Sequence, residues 1–290
     1  MTSSASSRKP TSSARSKNLA GPARKSPEAW IGSLGVTGQV ELLVIGDELL
    51  LGKRQDRHLP KVIELLKTRG IDLAGVEFLP DHEVTIAAAI RRFVAAGMPI
   101  LSCGGIGATP DDLTRQAAAR AFDMPIERQP EALQLIEAHY GERAWPNRVL
   151  MADFPRGAKL IPNPVNSVAG FSVGDCFFVP GFPEMAWPML EWVLDGPLAH
   201  LQRAHPPVEF RLRVSGVVGE GDLLQAMEAT RACYPEVWLS SLPTRGRTSA
   251  EGFIDFGLRG AQADAAAAFE MFRRAVVAHS GAVVVDVVAP

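Results

Sequence analysis

The chain has 290 residues, 47% hydrophobic and 21% charged, a globular composition with enough apolar mass for one large domain or two ordinary ones. Its net charge of −2 is uneven: residues 1–37 hold six Lys/Arg and one Glu, +5, so the remainder carries −7. A mildly acidic body argues against a nucleic-acid binder with a broad basic face, and no apolar run approaches the roughly 20 residues that span a bilayer.

Residues 1–37 are rich in Ser, Arg and Lys and lack the apolar core of a secretory signal, so they are expected to form a disordered basic tail. Cys103, Cys176 and Cys233 are too sparse for a disulfide framework or a zinc site. Reduced thiols in a cytoplasmic protein are expected.

Order is expected from Gln39. "QVELLVIG" reads as a buried strand, followed by the polar connection "DELLLGKRQDRH". Leu59, Val62, Ile63 and Leu66 recur at helical spacing, with Gly70 as a stop. "IDLAGVEFL" is a second strand. Ile86, Ile90, Phe93 and Val94 mark the next helix, and "MPILSC" is a third strand. This alternation predicts a mostly parallel sheet covered by helices. Further helices are expected near 110–122 and 130–140. "GFSVGDCFFVPGFP" reads as a hairpin, followed by a Met/Trp/Leu-rich helix to about 195. In that helix Met185, Trp187, Met189 and Trp192 suit a core or a subunit interface. After the break "AHPPVEF", strand, helix, strand, strand, helix and strand follow in the order of a ferredoxin-like α+β unit. "RGRT" at 245–248 reads as a solvated hairpin tip. The expected organisation is a tail at 1–37, a larger domain at 38–204 and a small domain at 205–290.

Residues 103–114, "CGGIGATPDDLT", fall at the carboxyl end of the third strand, the edge where open α/β sheets bind ligands. Thr109, Pro110, Asp111 and Asp112 suit a helix start: a cap, a proline at the first position and acids in the first turn. Helix capping leaves Gly104, Gly105 and Gly107 unexplained. Glycines allow close backbone approach to a ligand and expose N–H groups to an anion. Carboxylates beside such a loop make sense if Mg²⁺, Mn²⁺ or Co²⁺ joins them to phosphate oxygens. Asp47 and Glu48 follow the first strand and Asp81 the second, so the topology brings them to the same edge. Arg57 and His58 fit either an exposed helix start or a ligand contact. Asn163 and Asn166 fit either turn chemistry or hydrogen bonds to a base or pterin edge.

"GDELLLG", "PDHEVTIAAAI", "CGGIGATPDDLT", "LIPNPVNSVAGF" and "FVPGFPEM" occur in the order found in the CinA (competence/damage-inducible protein A) family. Residues 39–200 resemble its molybdopterin-binding (MoaB/MogA-like) domain, and 205–290 are similar to the small domain that follows there. The resemblance implies a three-layer α/β/α fold whose sheet edge takes a pterin or a nucleotide phosphate. Gly104, Gly105, Gly107 and Thr109 correspond to its glycine loop, and Asp112 with Thr114 to an Asp-x-Thr. Asp81, and Asp47 with Glu48, correspond to acids after the first two strands. Asn163 and Gly181 fall in its ligand-side loops.

The family is associated with metal-dependent hydrolysis of the diphosphate in ADP-ribose and related dinucleotides. On that basis Asp81, Asp111 and Asp112 would hold the cation and Asp47 or Glu48 would orient water. A non-catalytic molybdopterin- or nucleotide-binding module is the alternative, and an oligomer scaffold a third reading. A homo-oligomer acting on a small molecule is expected, and no C-terminal deamidase domain. The chain departs from the family with Gly107-Ala108-Thr109 for Gly-Pro-Thr and Arg57-His58 for Thr-Asn.

Overall fold

The computed structural model describes Met1 and residues 38–216, 219–244 and 252–288. The rest of the expected tail and the "RGRT" tip lie outside the described residues. β1 (Gln39–Ile45) is central and buried on both faces, as its continuous apolar run requires. Val40, Leu42 and Val44 point to one face; Leu43 and Ile45 point to the other. β2 (Asp72–Leu79), β3 (Ile100–Cys103) and β8 (Cys176–Val179) run parallel with it. β7 (Gly170–Val173) is antiparallel to β8 and to β6 (Lys159–Ile161), giving the order β2-β1-β3-β8-β7-β6.

The short helix α1 (Asp47–Leu50) follows β1. Helices α2 (His58–Thr68) and α6 (Pro183–Asp195) bury Val62, Leu66, Met189, Leu190 and Val193 against one face. α3 (Glu83–Ala95), α4 (Thr114–Ala121) and α5 (Pro130–Tyr140) cover the other with Ile86, Ile90, Ala117, Ala118 and Ile136. The layers are α/β/α, as expected. Within α6, Met189 is buried, Met185 and Trp187 are half-buried and Trp192 is exposed, so one side of that helix is core.

A second sheet is built from β9 (Val208–Gly216), β10 (Trp238–Thr244), β11 (Phe253–Gly260) and β12 (Ala282–Val288), with α7 (Leu224–Cys233) and α8 (Gln262–Ala278) between them. Its order, β10-β11-β9-β12, is fully antiparallel, the ferredoxin-like arrangement expected from the element order. Leu212, Val214, Ile254, Phe256 and Leu258 pack on Phe269, Phe272 and Val276 of α8. The two sheets meet at Asp72, where β2 begins. Its carboxylate accepts Arg203 Nη1 at 2.6 Å and Arg259 Nη2 at 2.8 Å.

One local expectation is corrected and two local features are added. The polar connection after β1 includes the short helix α1, which carries Asp47 and Glu48. The helix expected from 110 begins at Thr114: Thr109 to Asp112 close a turn instead, with Asp112 N donating to Thr109 O at 3.0 Å. Between α4 and β7 the chain also forms the short strands β4 (Ile126–Arg128) and β5 (Asp153–Pro155), paired with each other, and two 3₁₀ turns at Gly141–Ala144 and Arg148–Ala152. Segments of three to five residues are too short to establish a periodicity.

Candidate functional site

Because β1, β2, β3 and β8 are parallel, their carboxyl ends share one edge, and each is followed by a turn bearing an expected site residue. The acids after β1 and β2 interlock. Asp47 N donates to Asp81 Oδ2 at 2.9 Å, and Asp81 N to Asp47 Oδ1 at 3.3 Å. Each carboxylate keeps one oxygen outside this exchange. Burial, and then the like charges of Asp47, Glu48 and Asp111, push the Asp81 carboxyl above its usual range despite the Asp47 amide. Asp47, Glu48, Asp81 and Asp111 are therefore close enough to interact.

Asp112 is engaged within its own loop. Its Oδ2 accepts the Thr109 amide at 2.9 Å and the Thr109 hydroxyl. Among the described residues, no three His, Cys, Asp or Glu side chains are grouped closely enough to hold a metal, so Asp81, Asp111 and Asp112 do not form one ligand set here.

The glycines of the loop have internal reasons. A Cβ on Gly104, which has φ +107°, would lie 2.2 Å from the Ile45 carbonyl oxygen. A Cβ on Gly105 would meet Thr114 Oγ1 at 2.3 Å, and one on Gly107 Asp112 Oδ2 at 2.5 Å. Thr114 is fully buried; its hydroxyl donates to Gly104 O at 2.9 Å and its amide to Gly105 O at 3.0 Å. These contacts draw the loop tightly over the end of β1. Gly104 N donates to Val179 O, but among the described residues the amides of Gly105, Ile106, Gly107 and Ala108 have no acceptor.

Two residues matter more than their sequence context indicated. Arg115 is 4% exposed and donates to the carbonyls of Gly107 at 2.5 Å, Asp153 at 3.3 Å and Leu150. The available signal was its helical spacing to Ala118 and Ala119, which puts it on the buried side of α4. His58 is buried, not an exposed helix start; its Nε2 lies 3.0 Å from Gly181 O. Asp56 caps that helix by accepting the amides of His58 and Leu59, each at 2.9 Å. Gly181 itself is exposed, and its Cβ position lies 3.4 Å from Gly104 Cα.

Asn163 follows its turn reading. Its amide donates to Asn166 Oδ1 and Val168 O and its oxygen accepts Val165 N, which fixes the 163–168 loop. Cys103 is buried beside this edge, and burial pushes its thiol far up, so it stays protonated.

Fold and edge together define an α/β domain of the molybdopterin-binding class. The family model described as "Probable molybdopterin binding domain" matches residues 41–200. The chain belongs to the CinA family with its molybdopterin-binding-like domain. It is 38% identical over 161 residues to a CinA-like protein of Citrifermentans bemidjiense, a match covering 53% of this chain and 39% of that protein. It is 30% identical over 212 residues to a protein of Pyrobaculum calidifontis, covering 70% of this chain and 79% of that one. The crystal structure of a CinA protein of unknown function from Thermoplasma acidophilum matches with a TM-score of 0.51 at 24% identity, covering 55% of this chain and 98% of that chain, a likeness of fold. No described helix is long and apolar enough to cross a membrane.

Proposed function

We propose that this edge binds the diphosphate of a small nucleotide of the ADP-ribose kind and hydrolyses it with the help of a divalent cation. The observation that carries the reading is the run of four amides, Gly105 to Ala108, without an acceptor among the described residues, on the same sheet edge as the interlocked Asp47 and Asp81. Such amides suit phosphate oxygens. Mg²⁺ is commonly held by one or two carboxylates together with substrate phosphates, and the free oxygens of Asp47 and Asp81 suit that share. Bound Mg²⁺, Mn²⁺ or Co²⁺ would offset charge developing on the phosphoryl oxygens. Glu48, 3.9 Å from Arg54, would accept the proton of the attacking water. Asp112 braces the loop through Thr109, and Arg115 anchors the Gly107 carbonyl, which supports a loop held rigid enough for its amides to take a ligand.

Purified chain incubated with ADP-ribose and Mg²⁺, Mn²⁺ or Co²⁺ should release AMP and ribose 5-phosphate. Asp81→Asn should lower kcat by about 100-fold or more without lowering Tm. No turnover with any of the three cations, or an Asp81→Asn rate equal to wild type, sinks the catalytic reading. One observation favours a second reading, a non-catalytic molybdopterin- or nucleotide-binding module: Asp112 is engaged by Thr109 and does not join the other acids. Calorimetry showing nucleotide or molybdopterin binding without turnover would select it.

A further inference from the structure

Residues 57–58 and 181–184 run side by side next to the glycine loop. The bond between His58 Nε2 and Gly181 O and the 4.0 Å approach of Arg57 to Glu184 tie the two segments together. Phe182 follows directly on Gly181, where an added Cβ would come within 3.4 Å of Gly104 Cα. The Phe182 carbonyl accepts the amides of Met185 and Ala186 at the start of α6, so its backbone is fixed while its ring stays 57% exposed.

Arg57 belongs to the other segment, one residue before the His58 that bonds Gly181 O. Its guanidinium lies 5.4 Å from the ring centroid of Trp187, which packs on the core beneath. The side chain is nonetheless 63% exposed, so the indole backs one side of the guanidinium and water meets the rest. A planar cation supported by an indole, on a segment bonded to the one that carries an exposed phenyl ring, is the composition of a stacking platform. The exposed ion pair of Arg57 with Glu184 contributes little to stability, and the phenyl ring is left largely in water.

We propose that Arg57, backed by Trp187, and Phe182 form a stacking subsite for the base of a nucleoside diphosphate whose phosphates lie on the glycine loop. The proposal rests on the diphosphate reading above and adds the part of the ligand that reading leaves unassigned. The subsite supplies stacking faces and no base-edge hydrogen bonds, so it discriminates nucleotides from plain phosphates more than one base from another. It also gives a role to Arg57, which stands where the family pattern has Thr.

The test compares ADP with inorganic pyrophosphate by calorimetry on the full chain with Mg²⁺. Phe182→Ala and Arg57→Ala should each weaken ADP about tenfold and leave pyrophosphate within about twofold. Arg57→Lys should stay weak for ADP, because it keeps the charge and loses the plane, while Phe182→Trp should retain affinity. Equal effects on both ligands, or no effect on ADP, overturn the subsite while leaving the diphosphate reading intact. Failure of wild type to bind either probe overturns both. A change of mass by light scattering in Phe182→Ala would assign the ring to a protein interface and likewise overturn the subsite.

Discussion

Arg115 is a buried guanidinium whose hydrogen bonds all go to main-chain carbonyls, and burial pulls its pKa down against the more distant charges of Asp153 and Asp112. Arg115→Ala would strand the carbonyls of Gly107, Leu150 and Asp153 around a vacancy. The expected loss is about 2–4 kcal/mol, read as a lower urea midpoint, and it should weaken phosphate binding as the loop loosens. Arg115→Lys should recover only part of that loss, since one ammonium cannot span three carbonyls. An Arg115→Ala midpoint equal to wild type would show that the loop is held by Thr114 and Asp112 without it. At this scale the sequence was readable where chemistry is carried by residue type. Carboxylates after strand ends and glycines in a turn announce themselves. A buried arginine does not, because its burial depends on Leu150 and Asp153, more than 30 positions away. Asp112 could be placed at this sheet edge from the sequence, but its bonding to Thr109 could not be read, because the turn there decides it.

Strands and long helices were legible because their apolar periods are long enough to exclude other readings. The helix after the glycine loop was not placed correctly, since threonine, proline and two acids suit a turn as well as a helix start. β1 carries a second feature that pattern alone obscured. Glu41 interrupts the apolar run; its side chain lies over Gly75, with Glu77 and Arg92 nearby. Burial first, and then the charge of Glu77, raise its carboxyl to about 7, with Arg92 opposing. Its folded pKa lies above the unfolded value, so the native state holds the extra proton between about pH 4.5 and 7. Stability from this group is therefore greatest at low pH and falls as pH rises through 7. Glu41→Gln should match wild type below pH 5 and exceed it at pH 8 by about 1 kcal/mol, allowing for solvent screening at a half-buried site. Denaturation curves at the two pH values check this; a gap that is constant with pH would exclude it.

Across the whole molecule, the order of elements was enough to read a mostly parallel sheet followed by a ferredoxin-like unit. What joins the two was hidden, because Asp72 finds Arg203 and Arg259 at separations of 131 and 187 residues. Partial burial pushes the Asp72 carboxyl upward, but its bonds to Arg259 and Arg203 outweigh that and hold it below its ordinary value. Here the sign is opposite to that of Glu41: the joint contributes stability above the unfolded carboxylate pKa of about 4 and loses it as pH falls through the lower folded value. Asp72→Asn should cost about 1–2 kcal/mol at pH 7, and its difference from wild type should shrink as the buffer is taken toward pH 2. Guanidinium melts of both proteins at the two extremes measure that difference directly.

The same joint gives the molecule a direction. Asp72 opens β2 and the ligand edge lies past its last residue, so the small sheet is fastened roughly 25 Å from that edge. Of the three thiols, Cys103 and Cys176 are buried in the larger layers, and Cys233 is exposed on α7 of the smaller unit. A maleimide dye or surface would thus attach at one position, on the smaller unit and not on the sheet that carries the glycine loop. Chains immobilised through that thiol would be held by the smaller unit and leave the glycine-loop edge of the larger one unmodified, a ready orientation for surface-based sensing.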